Sequence, residues 1–262
     1  MKKYSVDFIK KSKNKEVLSA ITAYDALFAK LFDGEVEIIL VGDSLSMSFG
    51  GAKDTLSITL EQMIYHAQAV TQGAKESLIV LDLPFGSYST PLDGLTSSIK
   101  AMKESAIDGV KIEGGREKAE VVKTLSQNGI AVLGHIGLKP QSVRSEGGWK
   151  IKGKSDDEID ALIEDAKAIQ DAGAFAIVVE GVKDSVAEKI TKSISIPTIG
   201  IGAGNSTDGQ IIVWSDMLGF FEEFKPKFVR HYMDGASLVK EALKTYTKDV
   251  KNRDFPNADE SY

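Results

Sequence analysis

SLIVLDLPFGSYSTPLDGLTSSIKAMKESAIDGVKIEGG, residues 77–115, reads as one strand–helix–strand unit. Residues 77–83 and 109–113 are strand-length runs rich in Val, Ile and Leu, the composition of parallel strands covered on both faces. Between them, 92–105 brings Leu95, Ile99 and Met102 together at helical spacing. Each strand run ends in, or carries at its end, an acid: Asp82 before Leu83-Pro84 and Glu113 before Gly114-Gly115. Two other runs end the same way: ILVGDS (39–44) and FAIVVEGV (175–182). An ionised carboxylate at the end of a buried strand is costly unless something pairs with it. Repeating that cost four times implies a shared cation and proton-transfer chemistry at one rim.

Working outward, the same alternation fills the chain. Strand candidates are 17–23, 36–42, 77–83, 109–113, 130–135, 175–180, 196–201 and 211–215. Helical patterns separate them. In 155–172, Ile159, Leu162, Ile163, Ala166 and Ile169 form one stripe, with Ser155 and Glu158 as a capping box and Gly173 as the stop. The segment 116–128 places Val122 and Leu125 on one face and ends at Asn128-Gly129. Eight alternations in 262 residues predict a (β/α)8 TIM barrel, an α/β fold, as a single domain over 1–262. A short N-terminal helix (5–12) and a C-terminal helix with a polar tail flank it. A doubly wound sheet would need a switch point and usually a Gly-rich first turn, and no such turn follows the first strand.

Net charge −6 disfavours nucleic acid as a partner, since phosphate binding needs basic surface. The absence of cysteine removes disulfides, thiolate-bound zinc and thiol nucleophiles, and suits a reducing compartment. The lysine-rich start lacks the apolar core of a signal peptide, and no run reaches the ~20 residues that span a bilayer.

In a barrel of this type, functional groups lie at the C-terminal ends of the strands. Asp43, Asp82, Lys111, Glu113, His135 and Glu180 come from strands two to six and gather on one arc of that mouth. Lys111 and Glu113, two apart, share a face. Asp43, Asp82 and Glu113 make a hard-cation site of the kind Mg²⁺ takes, with few carboxylates and retained waters; Asp43 and Asp82 could equally cap the loops that follow. Lys111 meets either a substrate anion or an internal acid, Glu113 or Asp82. Glu180 reads as a general base displaced around the mouth, or as a cap or partner of Lys183. His135 reads as a core histidine, and His66 and His231 as structural. GIGAGN (200–205) lacks the spacing of a phosphate loop, and close backbone approach explains its glycines as well.

TAYDALFAKLFD (22–33), ILVGDSLSM (39–47), LDLPFGSY (81–88), VKIEGG (110–115), GHIGLKPQSV (134–143), IPTIGIGAGNSTDGQI (196–211) and PKFVRHY (226–232) together resemble the ketopantoate hydroxymethyltransferase family, from about residue 4 to 260. The motifs are specific as an ordered set. The resemblance implies a (β/α)8 barrel that moves the one-carbon unit of 5,10-methylenetetrahydrofolate onto 3-methyl-2-oxobutanoate, giving ketopantoate for pantothenate synthesis. It implies Mg²⁺ as cofactor, small-molecule substrates, and a cytoplasmic homo-oligomer, commonly a decamer. Carried over by motif, Asp43, Asp82 and Glu113 match the metal acids; Asp43, Ser44, Asp82 and Lys111 match substrate contacts; Glu180 matches the proton acceptor. Lys139 stands where the family pattern often has Thr, and EGGWKIKG (146–153) replaces an FGGYKVQG type.

Two other readings compete. A Mg²⁺-dependent barrel cleaving carbon–carbon or carbon–phosphorus bonds of 2-oxo acids shares the chemistry but normally carries a lid cysteine, absent here. A catalytically dead barrel serving as a binding protein would not need the intact acid and lysine set.

Overall fold

Val, Ile and Leu fill the strand runs, and parallel pairing buries both of their faces. The structure, a computed structural model, describes residues 3–222 and 225–262. Among the described residues eight strands are β1 (Leu18–Thr22), β2 (Ile38–Val41), β3 (Leu78–Asp82), β4 (Gly109–Glu113), β5 (Ala131–Gly137), β6 (Ala176–Glu180), β7 (Thr198–Ile201) and β8 (Gly209–Ile212). Each pairs in parallel with the next and β8 returns to β1, closing the barrel. The helices are α1 (Val6–Lys11), α2 (Ala26–Phe32), α3 (Leu45–Ser48), α4 (Leu60–Gly73), α5 (Pro91–Ser105), α6 (Ala119–Gln127), α7 (Asp156–Asp171), α8 (Asp184–Ser193), α9 (Trp214–Met217) and α10 (Gly235–Asn252). No described helix is long and apolar enough to cross a membrane.

The chain divides into two compact units, Met1–Val213 and Trp214–Tyr262. The first holds the barrel. Its interior is one apolar cluster that includes Leu18, Ala20, Ile38, Leu40, Leu78, Val80, Leu133, Ala176, Val178, Ile199 and Ile211. These residues alternate along their strands, as a period of two requires. Ile9 of α1 is fully buried in the same cluster, beside Leu18, Ile38, Leu78 and Phe175 at the starts of the strands. Burying such a side chain contributes about 1.5–3 kcal/mol, which ties α1 to that end of the barrel. In the second unit, Trp214 packs edge-on against Phe220, and α10 leaves Val239, Leu243, Tyr246 and Val250 exposed at helical spacing.

Three local expectations are corrected. The eighth strand spans 209–212, not 211–215, because pairing recruits it: Leu18 to Ile21 of β1 face Gly209 to Ile212, while Trp214 already begins α9. On α5 the buried face is Gly94, Ser98, Ala101 and Ser105, and Ile99 is exposed. A Cβ on Gly94 would stand 2.8 Å from Val121 of α6, so close helix packing selects small residues over the apolar stripe. The capping box of α7 is half formed. Ser155 accepts from the Glu158 N–H, but the Glu158 carboxylate accepts from Lys154 N.

Candidate active site

The alternation that fills the barrel with aliphatic side chains continues to its rim. Two residues beyond Val80 comes Asp82; beyond Leu133, His135; beyond Val178, Glu180. On β4 the same face carries Lys111 and Glu113. Neighbouring register sets Asp82 beside Lys111 and Glu113 beside His135. Asp43 lies just past β2, with its backbone N–H donating to Asp82 Oδ2 at 3.1 Å. The expected acids and lysine are thus brought together at one mouth, and Asp43, Asp82, Lys111 and Glu113 are all buried to 5 % exposure or less.

Lys111 Nζ donates to Asp82 Oδ1 at 2.7 Å and lies 4.0 Å from Glu113 Oε1. Burial alone would lower its pKa, but the charges of Asp82, Glu113 and Asp43 outweigh that and raise it, so the ammonium stays charged. Burial, then the negative charges of Asp82 and Glu113, push the Asp43 carboxyl well above the usual carboxylate range, against the pull of Lys111 and Gln141. Glu113 goes the other way: burial is outweighed by His135, Lys111 and the Gln141 N–H, which hold it low.

His135 is the residue the sequence undervalued. Its ring is 1 % exposed, with Nδ1 3.5 Å from Glu113 Oε1 and Nε2 3.3 Å from Glu180 Oε2. Neither contact has hydrogen-bond alignment, so both are charge contacts. Burial and Lys111 lower its pKa, yet Glu113 and Glu180 prevail and raise it to about 9. An imidazolium therefore links the Glu113 acid to Glu180. Gln141 and Tyr88 were also unforeseen in the site. Gln141 Nε2 donates to Asp43 Oδ2 at 2.9 Å, and Tyr88 OH to Gln141 Oε1 at 2.5 Å. Only the PQS motif hinted at Gln141, and no spacing rule did.

Ser44, half-buried, shares a 2.9 Å hydrogen bond with the Tyr24 hydroxyl. Glycine at position 42 lets the backbone pass close to Ser44 and Asp82: a Cβ there would stand 2.9 Å from Ser44 Oγ and 3.6 Å from Asp82 Oδ2. The glycines of 200–205 follow the close-approach reading. A Cβ on Gly204, at φ +75°, would collide with the Asp184 carboxylate. His66 Nδ1 lies 2.7 Å from Tyr24 O.

Among the described residues no three carboxylate or imidazole groups converge as a ready-made metal cage. The donor set still fits Mg²⁺, which takes one or two carboxylates and keeps its waters. Three buried carboxylates face one lysine and one imidazolium, and Glu113 Oε1 is buried without a hydrogen bond.

A cavity of about 250 Å³ opens beside Glu113, lined in part by Phe85, Tyr88, Lys118 and Gln141. Nearby, the departures from the family pattern answer one another. Glu146 lies 3.9 Å from Lys139 and 2.5 Å from Lys152.

Comparison with known proteins follows this geometry. The family model described as ketopantoate hydroxymethyltransferase matches residues 3–258. A 3-methyl-2-oxobutanoate hydroxymethyltransferase from Wolinella succinogenes is 58% identical over 262 residues, the whole of both chains. One from Sulfurimonas denitrificans is 59% identical over 261 residues, 100% of this chain and 99% of its own. Among solved structures, phosphonopyruvate hydrolase in complex with oxalate and Mg²⁺ superposes with TM-score 0.63 at 10% identity, covering 99% of this chain and 93% of its own. A 2,3-dimethylmalate lyase does so with TM-score 0.58 at 14% identity, over 96% and 89%. At that identity the two structures share the barrel fold and say nothing of activity. Full-length identity above half, joined to a family match across nearly every residue, places this chain in the ketopantoate hydroxymethyltransferase family.

Proposed function

We propose that the enzyme transfers a hydroxymethyl group from 5,10-methylenetetrahydrofolate to 3-methyl-2-oxobutanoate, forming ketopantoate, the first committed step of pantothenate synthesis. The observation that carries the reading is a difference in access. Glu180 is 20 % exposed at its side chain, whereas Asp82 and Glu113 are 4 % and 3 % exposed. A small ketoacid at the mouth reaches Glu180 while Asp82 and Glu113 stay withdrawn.

Asp43, Asp82 and Glu113 are the residues that would hold Mg²⁺ and its waters, with Gln141 N on Glu113 Oε2 and Glu113 Oε1 free of hydrogen bonds. The ion, when bound, supplies Lewis-acid withdrawal of charge from the substrate's keto oxygen and carboxylate. Ser44 and Asp43 orient the ketoacid. Glu180 takes the proton from C3, and the C–H electron pair moves toward the keto oxygen. Lys111, held charged by its acids, faces the negative charge that develops there. The C3 carbon then bonds to the donor's methylene as one of its two C–N bonds breaks. Water's oxygen bonds to the same carbon as the second C–N bond breaks, and the proton held by Glu180 and one from water go to the two nitrogens of the departing tetrahydrofolate. His135 Nε2, 3.3 Å from Glu180 Oε2, holds that side chain in place. The cavity beside Glu113, with Phe85 exposed at its lip, has room for part of the folate.

The test is consumption of 3-methyl-2-oxobutanoate by purified protein. It is expected only when Mg²⁺ and methylenetetrahydrofolate are both present and to stop when EDTA strips the metal. Cleavage of a 2-oxo acid without folate would instead support the lyase reading suggested by the shared fold, and binding without turnover a dead barrel. The same reading carries a cytoplasmic homo-oligomer, decameric by family resemblance. The exposed apolar face of α10 supports it, and a monomer by light scattering at working concentration would refute it.

A further inference from the structure

Gln141 lies at the centre of the mouth although no strand carries it. It sits in the turn Pro140–Ser142 and is 7 % exposed. Its backbone N–H donates to Glu113 Oε2 at 3.0 Å. Its Nε2 donates to Asp43 Oδ2 and to Leu83 O, both at 2.9 Å. Its Oε1 accepts from Tyr88 OH at 2.5 Å.

The amide can sit only one way round. Leu83 O is a carbonyl and accepts only, so the NH₂ must face it. The carbonyl Oε1 is then left to Tyr88, whose hydroxyl must donate. Burial, with the charges of Glu113 and Asp43, raises the Tyr88 pKa well above its ordinary value, so that proton stays in place. One residue thus fixes a side-chain oxygen of Asp43 and a side-chain oxygen of Glu113, which precede it by 98 and 28 positions in sequence. Among the described residues, the Asp43 carboxylate takes its one hydrogen bond from this amide. Asp43 otherwise faces the like charges of Asp82 and Glu113.

We infer that Gln141, locked by Tyr88, is the positioning residue of the cation site: it occupies Asp43 Oδ2 and Glu113 Oε2, leaving each acid's other oxygen for the ion and its waters. The inference rests on the proposed function, because it takes Asp43 and Glu113 as the acids that receive a divalent cation. Groups that orient ligands in this way govern metal affinity as well as turnover.

The test is Mn²⁺ binding to the metal-stripped full-length protein, read by water-proton relaxation alongside thermal melts. Gln141→Met keeps side-chain length and removes the donors and acceptor. It should weaken Mn²⁺ by about 10–100-fold. Tyr88→Phe removes only the hydroxyl that locks the amide, and should weaken Mn²⁺ by about 3–10-fold. If Gln141→Met does not fold, Tyr88→Phe decides alone. A packing role predicts lower melting temperatures with wild-type Mn²⁺ affinity in the folded protein, and that result overturns the inference. Wild-type protein that binds no Mn²⁺ overturns the functional reading along with it. Wild-type protein that binds Mn²⁺, with variants that bind equally well, overturns the inference alone.

Discussion

Glu180→Gln is expected to slow turnover by on the order of 10²–10⁴, the usual worth of a positioned general base. The substitution keeps size and packing but cannot accept the C3 proton. Its neighbour is His135 Nε2 at 3.3 Å, which faces the side chain at position 180. Binding of the ketoacid and of Mg²⁺ should change far less, because Glu180 lies on β6 while the proposed metal acids come from β2, β3 and β4. The direct measurement is exchange of the C3 hydrogen of 3-methyl-2-oxobutanoate in deuterated water, followed by NMR. Equal exchange rates in wild type and variant would remove Glu180 as the base. Lys111 would be a poor replacement, since its surrounding acids hold it protonated.

Asp82→Ala should have the largest combined effect on stability and activity. Asp82 receives Lys111 Nζ at 2.7 Å and Asp43 N at 3.1 Å, and both side chains of the ion pair are 6 % exposed or less. Removing one partner of a buried pair leaves an uncompensated charge and costs about 3–5 kcal/mol. Urea unfolding measures that loss. The loss of metal-held charge stabilisation adds several kcal/mol to the barrier, roughly a 10²-fold or greater fall in turnover. Circular dichroism must confirm that the variant is folded at the assay temperature. A folded variant with the wild-type response to Mg²⁺ would show that Asp82 has no part in holding the ion.

What the sequence made legible follows from periodicity. Asp82, Lys111, Glu113 and Glu180 sit on strands whose apolar alternation dictates their face, so one rule places them all. His135 obeyed the same rule, but one histidine in an apolar run is equally a core residue, and only two acids within 3.5 Å of its ring tell the cases apart. Gln141 was hidden because a turn carries it, and turns have no face to predict. The α5 stripe misled because a helix packed closely on its neighbour buries its smallest side chains: Gly94 and Ala101 are inside and Ile99 is out. The eighth strand was misplaced because edge pairing with β1, not apolarity, sets its ends.

The proposed metal acids, the lysine, the histidine and the base all come from β2 through β6; β7, β8 and β1 carry none of them. Those three strands nevertheless complete the hoop, and a hoop's circumference fixes every chord across it. The span from Asp82 to Glu180 is therefore set partly by residues that touch neither. An insertion in β8, or a bulky residue in place of Gly209, would widen the ring and lengthen that span. Damage on the silent side of the barrel thus reaches the chemistry as a change of gauge, with every reacting group still present.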